Sequence, residues 1–196
     1  MPDISNRDYV LILDKTGSMA ERDCAGGKSR WDYMQETAFA FASFLEKHDP
    51  DGIDVYFFNR TFTKHEGVTA AKVKEIFEAN QPSGPTYFAP SLGEAINKFF
   101  NGDRATTIFV LTDGEAYDKD ETKKVIIDAA NKIVADEALA ISFIQVGKDA
   151  GATKFLKSLD DDLQAAGAKF DIVDTMTIED LEDKNLVDVL IAAIND

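Results

Sequence analysis

The sequence predicts an α/β fold of the doubly wound, Rossmann-like kind, with a mostly parallel sheet and helices on both of its faces. Short continuous apolar runs, typical of strands buried on both faces, alternate along the chain with segments that have helical apolar spacing. One pair of strands is close enough in sequence to form a hairpin. Two other apolar runs end in an aspartate followed by a loop. In open α/β sheets such loops form the ligand-binding edge.

The first part of the chain supplies a strand, a loop and a helix. Tyr9–Leu13 is apolar throughout, and the glycine-rich stretch Gly17–Lys28 follows it as a loop. Ser29 is the predicted N-cap of a helix, because Asp32 follows three residues later and apolar residues then recur every three or four positions. This helix should end near His48, ahead of a proline and a glycine.

The remaining elements continue the alternation. Further strands are predicted at Ile53–Phe58, Thr61–Glu66, Thr106–Leu111, Ala140–Val146 and Phe170–Val173. The first two of these are expected to pair as the hairpin. Further helices are predicted at Ala70–Ala79, Ser91–Phe100, Asp118–Asp136, Ala152–Ala166 and Leu186–Ile194. Asp118 and Glu121 have the spacing of a capping box for the third of these helices.

Length and composition are those of one globular domain. The chain has 196 residues, of which 44% are apolar, and no apolar run approaches the roughly 20 residues that span a bilayer. The first ten residues also lack the basic and then apolar segments of a signal peptide. We therefore expect residues 1–196 to form a single domain that is cytoplasmic and does not associate with a membrane.

The net charge and the scarcity of cysteine and histidine limit the possible partners and metals. The net charge of −15 argues against nucleic acid as a partner, because that binding depends on lysine and arginine neutralising phosphates. Cys24 is the single cysteine and His48 and His65 are the only histidines, so an intramolecular disulfide and a multi-cysteine zinc site are excluded. Any bound metal should be a hard, oxygen-preferring ion.

The candidate metal ligands follow the two strands that end in aspartate. Asp14, Thr16 and Ser18 occupy alternate positions of a tight loop, and Gly17 allows the backbone to turn between them. Asp113 ends the other strand and is also followed by a glycine. A carboxylate with two hydroxyls is a ligand set for Mg²⁺, Mn²⁺ or Ca²⁺.

This pattern resembles the metal-ion-dependent adhesion site of the von Willebrand factor A family. The resemblance rests on Asp-x-Thr-x-Ser after an apolar strand, on Thr86 in a distal loop, and on the strand-ending Asp-Gly. It implies a six-stranded sheet with one antiparallel edge strand. It also implies that Ser18 and Thr16 bind the ion directly, that Thr86 binds it directly or through water, and that Asp14 and Asp113 act mainly through metal-bound waters. The family more often has serine at position 16, but threonine keeps the hydroxyl.

The resemblance also implies a function. Such a domain would be a protein-interaction module, not an enzyme, with Mg²⁺ as the most favoured ion and Ca²⁺ or Mn²⁺ as alternatives. An aspartate or glutamate of a partner protein would complete the coordination. Segments such as Val146–Asp149 and Phe170–Asp174 also resemble bacterial members of the family associated with tellurite resistance and stress response.

Two other functional hypotheses remain. Asp14-Lys15-Thr16-Gly17-Ser18 nearly repeats the phosphorylated motif of P-type ATPases, so Asp14 could be the nucleophile of a haloacid-dehalogenase-like phosphotransferase, with Asp113 holding magnesium. The chain lacks the second aspartate, two residues later, that soluble relatives use as a general acid. Alternatively, the chain is a structural subunit whose metal site is vestigial.

Three aromatic residues should lie beside the candidate site. Tyr87, Phe88 and Tyr117 are in the loops expected to flank the ion. They are either exposed binding residues or side chains that pack beneath the loops.

Overall fold

The predicted α/β fold is confirmed. A computed structural model describes residues 6–49, 52–182, 188 and 193. Its strands are β1 (Arg7–Asp14), β2 (Ile53–Phe58), β3 (Phe62–Val68), β4 (Ala105–Thr112), β5 (Leu139–Gln145) and β6 (Val173–Thr177). They form one six-stranded sheet in the order β3-β2-β1-β4-β5-β6. Only the β2–β3 pairing is antiparallel, so β3 is the antiparallel edge strand, as the sequence predicted.

Helices cover both faces of this sheet. They are α1 (Arg30–Leu45), α2 (Ala70–Glu78), α3 (Ala89–Asn101), α4 (Lys119–Lys132), α5 (Ala150–Asp161) and the short α6 (Ile178–Glu182). The buried side chains of α1 and α2 pack in one cluster with alternate residues of β1, including Leu11. Those of α3, α4 and α5 pack in a second cluster with the intervening residues, including Ile12. A strand buried on both faces explains the continuous apolar run.

The start of α1 is as predicted, whereas the capping box at α4 is wrong. The Ser29 side chain accepts a hydrogen bond from the Asp32 backbone N–H at 3.0 Å. The Asp118 carboxylate instead accepts from the backbone N–H groups of Phe88 and Ala89, at 3.0 and 2.8 Å. It therefore caps α3, because the orphan donors of that helix face it across the fold.

The C-terminal part also differs from the prediction. The final strand was expected at Phe170–Val173 but spans Val173–Thr177, paired with β5 from Ile141 to Gln145. β6 has the largely polar sequence Val-Asp-Thr-Met-Thr, so its hydrophobic pattern specifies its position and register only weakly. The helix predicted at Ala152–Ala166 ends at Asp161 and continues as turns.

Two further findings concern the predicted closing helix and membrane-spanning segments. The closing helix expected at Leu186–Ile194 lies outside the described residues, except for Asp188 and Ala193. In the described ranges, none of the helices combines the length and the apolar character needed to cross a bilayer.

Candidate metal centre

The candidate ligands of the two aspartate-ended strands meet at one edge of the sheet. Leu13 of β1 pairs with Leu111 of β4, so the loops that follow the two strands are neighbours. The Ser18 hydroxyl donates to Asp113 Oδ1 at 2.8 Å, and Thr16 Oγ1 lies 3.2 Å from Ser18 Oγ. The parallel strands thus bring together side chains that are 95 residues apart in sequence.

Asp14 is fully buried beneath this group. Its Oδ1 accepts from the Thr16 backbone N–H at 2.7 Å, and its Oδ2 accepts from the Thr112 hydroxyl at 2.6 Å. Burial, followed by the nearby Asp113 carboxylate, raises the pKa of Asp14 to about 6. The sequence reasoning missed Thr112, although its hydroxyl directly before Asp113 was a usable signal.

Thr86 reaches the same edge from the loop before α3. The Tyr117 backbone N–H donates to the Thr86 carbonyl at 2.9 Å, and the Gly17 N–H donates to the Gly84 carbonyl at 3.1 Å. A Cβ built on Gly114 would lie 3.6 Å from Thr86 Oγ1, so this hydroxyl faces the loop after β4. The five predicted residues therefore lie at the end of β1 and in three loops that backbone hydrogen bonds join to one another.

Arg30 is a buried cation at this site that the sequence reasoning missed. Its Nη1 donates to Asp113 Oδ2 at 2.7 Å, while Nε and Nη2 hold the Asp23 carboxylate at 2.9 and 2.5 Å. Its Nη2 also lies 3.0 Å from a Glu21 carboxylate oxygen. Glycine at position 147 leaves room for the Arg30 guanidinium, since a Cβ there would lie 2.9 Å from Arg30 Nε. The position of Arg30, in the first turn after an N-cap, carried no signal of this role.

Burial and hydrogen bonding have opposite effects on the pKa of Asp113. Burial raises its pKa, whereas the hydrogen bonds from Arg30 and Ser18 lower it. Asp14 makes no ion pair in the described part of the chain. The buried pair of carboxylates therefore faces one guanidinium and retains a net negative charge.

These residues fit a hard cation better than a soft one. The set consists of two carboxylates and three hydroxyls, and oxygen is the donor preferred by Mg²⁺ and Ca²⁺. Across the described residues, no group of three or more histidine, cysteine, aspartate or glutamate side chains is placed to hold a metal. Any ion at this edge would therefore depend on the hydroxyls as well as the carboxylates. A divalent cation would also offset the uncompensated buried charge.

The flanking aromatic residues divide into two kinds. Phe88 is buried, and its ring packs against those of Phe58, Phe143 and Phe155. Tyr117 is 75% exposed and stacks on Tyr87 with ring centroids 5.8 Å apart. The tyrosine pair, but not Phe88, is available at the surface.

Solved structures share this fold. A D319A mutant of the PilB minor pilin from Streptococcus sanguinis aligns with a TM-score of 0.65 and 14% identity, over 94% of this chain and 60% of that one. The pilus adhesin SpaC from Lactobacillus rhamnosus GG, in an open conformation, gives 0.61 and 14%, over 96% and 30%. A von Willebrand factor type A protein from Catenulispora acidiphila gives 0.56 and 17%, over 88% and 38%. This chain thus spans at most 60% of the length of these proteins.

The sequence itself matches a family. Residues 9–115, more than half of the chain, match the family model of the von Willebrand factor type A domain. The matched region runs from β1 to just beyond the end of β4 and includes all five candidate ligands. The sheet order and the single antiparallel edge strand agree with this match. The chain belongs to the von Willebrand factor type A domain family.

Proposed function

We propose that this chain is a divalent-cation-dependent protein-interaction module. Von Willebrand factor type A domains commonly act in adhesion or protein interaction. Asp14, Thr16, Ser18, Thr86 and Asp113 would hold the cation, with Mg²⁺ favoured over Ca²⁺ and Mn²⁺. An aspartate or glutamate of a partner protein would complete its coordination. The observation that carries the proposal is that the hydroxyls of Thr16 and Ser18 and the buried carboxylates of Asp14 and Asp113 meet at one edge of the sheet, where the Thr86 hydroxyl faces the loop after β4.

The residues of the chain have separate tasks in this proposal. The hydroxyls of Ser18, Thr16 and Thr86 are neutral ligands, and they leave most of the charge of a bound cation available to a carboxylate. Asp14 is oriented by Thr16 and Thr112, so its position does not depend on the cation. Arg30 holds Asp113 toward Ser18.

The phosphotransferase hypothesis receives less support. Asp14 is fully buried, and both of its carboxylate oxygens already accept hydrogen bonds. A nucleophile needs an oxygen that can reach the substrate. A phosphate-ester assay in Mg²⁺ would revive this hypothesis if it showed turnover that Asp14→Asn abolished.

Thermal unfolding in the presence of divalent cations tests the proposal. Mg²⁺ at a hundred times its Kd should stabilise the wild type by about 2.7 kcal/mol, because it binds only the folded state. Ser18→Ala should lose this response. Ser83→Ala is the matched control, since this exposed serine lies in the adjacent loop and, among the described residues, hydrogen-bonds only through its backbone. Absence of a response to Mg²⁺, Ca²⁺ and Mn²⁺ in the wild type would contradict the proposal.

A pull-down of the partner protein distinguishes the proposed cation-dependent module from a structural subunit with a vestigial metal site. Chelator and Thr86→Ala should both release a partner held through the cation. A partner retained under both conditions would identify the chain as a structural subunit instead.

We also propose where the protein acts. From the resemblance to bacterial stress-response and tellurite-resistance proteins, we propose that it takes part in such a system and that it is cytoplasmic.

A further inference from the structure

Arg30 is the one cationic side chain that hydrogen-bonds to a candidate cation ligand in the described part of the chain. Its Nη1 donates to Asp113 Oδ2 at 2.7 Å, while the Ser18 hydroxyl donates to the other oxygen, Oδ1, at 2.8 Å. The Arg30 side chain is 10% exposed, and that of Asp113 is fully buried. A charge so close to the site and so poorly solvated would act on any ion bound there.

The Arg30 guanidinium is held in this position by several contacts. Its Nε and Nη2 donate to the Asp23 carboxylate at 2.9 and 2.5 Å, and Nη2 lies 3.0 Å from a Glu21 carboxylate oxygen. The Arg30 backbone N–H donates to the Glu21 carbonyl at 2.9 Å, and Gly147 lies against the guanidinium. The loop after β1 therefore fixes a positive charge beside Asp113 without any contribution from a bound ion.

The carboxylates around Arg30 differ in their exposure. The side chains of Glu21 and Asp23 are 60% and 44% exposed, so water and dissolved ions screen their charges. Asp14 and Asp113 are buried, and Asp14 forms no ion pair among the described residues. At the site itself, Arg30 therefore offsets one of two buried negative charges. A divalent cation bound there would change the total from one net negative charge to one net positive charge.

From this charge balance we infer that Arg30 is a specificity-determining residue of the cation site. It weakens the binding of the divalent cation and strengthens the attraction of the cation-loaded site for a partner's carboxylate. The inference rests on the proposed function, because it requires a cation at the site. With an uncharged residue in place of Arg30, the two buried carboxylates would neutralise the cation, and the loaded site would have no net charge with which to attract an anion.

Two affinities of the full chain, measured at fixed ionic strength, test this inference. Calorimetric titration with MgCl₂ gives the affinity for the cation. NMR titration of the Mg²⁺-saturated, isotopically labelled protein with acetate gives the affinity for a carboxylate, and acetamide is the uncharged control. Arg30→Gln should bind Mg²⁺ about three- to tenfold more tightly and acetate about three- to tenfold more weakly than the wild type. A merely distorted site would bind both more weakly.

Two further variants separate charge from structure. Arg30→Lys keeps the charge but loses the planar fork that contacts Asp113 and Asp23 together, so both affinities should stay within about twofold of the wild type. Asp23→Asn removes a negative charge and retains Arg30, so it should weaken Mg²⁺ binding and strengthen acetate binding, each by about two- to threefold. This variant also tests the inference if Arg30→Gln does not fold.

Asp103→Asn is the matched control for Asp23→Asn. It removes the same charge from an exposed aspartate that precedes β4, at the opposite edge of the sheet from the candidate site. At fixed ionic strength, a charge separated from the site by the length of β4 is screened. Asp103→Asn should therefore leave both affinities unchanged.

The outcomes distinguish this inference from the proposed function. If Arg30→Gln and Asp23→Asn each change the two affinities in the same direction, or change neither, the inference is wrong and the proposed function stands. If Arg30→Lys changes both affinities as Arg30→Gln does, hydrogen-bond geometry and not charge is responsible, and the inference is again wrong. A wild-type chain that binds no divalent cation in the thermal test would overturn the proposed function, and this inference with it.

Discussion

At the scale of single residues, the site is governed by buried charge. Asp14 and Asp113 are both almost inaccessible to solvent, and Arg30 is paired with only the second of them. Removing a carboxylate from water is unfavourable, so burial raises the pKa of both, and the hydrogen bond from Arg30 opposes this rise only at Asp113. A proton or a cation would relieve the same destabilisation.

The metal-free protein should therefore become more stable on mild acidification. The pKa of Asp14 rises from 3.8 to about 6 in the folded state, so that state binds the proton more tightly than the unfolded chain. Lowering the pH from above 6 toward 4 should raise the free energy of unfolding by an amount on the order of 2 kcal/mol. Urea unfolding in chelator measures it. Asp14→Asn should remove much of this gain, and an equal gain in that variant would contradict the assignment to Asp14.

Replacement of Arg30 should be strongly destabilising. Arg30→Gln leaves the buried Asp113 carboxylate without its guanidinium, which should lower the free energy of unfolding by about 3–5 kcal/mol. Lys28→Gln is the control, since Lys28 and Glu36 form an exposed ion pair worth at most about 1 kcal/mol. Urea unfolding in chelator compares the two variants. Similar small losses in both would show that the Arg30 pair contributes little.

At the scale of elements, backbone hydrogen bonds hold the loops of the site together. The loop after β1 donates from Lys15 to the Phe58 carbonyl at the end of β2, at 2.9 Å. It also accepts from Ser83 and donates from Gly17 to Gly84, at 2.6 and 3.1 Å. The loop before α3 is thereby fixed against β1, which places Thr86 without any contribution from a ligand.

The Asp118 side chain, at the start of α4, caps α3. Two variants distinguish this cap from the predicted Asp118–Glu121 capping box. Asp118→Ala should lower the free energy of unfolding by about 1–2 kcal/mol, because two N–H groups at the start of α3 lose their acceptor. Glu121→Ala should have a smaller effect, about 0.5 kcal/mol, from the helix dipole alone. Thermal or urea unfolding measures both. A larger loss for Glu121→Ala would support the capping box instead.

At the scale of the whole molecule, the excess of acidic residues should oppose compaction. A net charge of −15 produces repulsion that dissolved salt screens. We expect NaCl to raise the thermal midpoint by about 2–4 °C, equally in the wild type and Ser18→Ala. The effect of Mg²⁺ at constant ionic strength should be confined to the wild type. Equal Mg²⁺ effects in both proteins would mean that divalent cations act only by screening.

The sequence by itself determined the alternation of strands and helices, because burial on one or both faces leaves a local apolar pattern. It also identified the two aspartate-ended strands, since a loop at the carboxyl end of a parallel strand has a known place in such sheets. Family resemblance added Thr86 and the position of the antiparallel strand at the edge of the sheet. The metal, its partner, the single-domain organisation and the cytoplasmic location remain predictions.

Only the tertiary structure decided which polar groups pair across the fold. Arg30 reaches Asp113 over 83 residues, and Asp118 caps a helix that begins 29 residues before it. β6 likewise pairs with β5 through a segment whose own largely polar sequence does not mark it as a strand. Each buried hydrogen-bonding group pairs with a group that the strand order brings close to it. A local sequence pattern does not contain that order. The charge balance of the site therefore became visible only once the sheet was assembled.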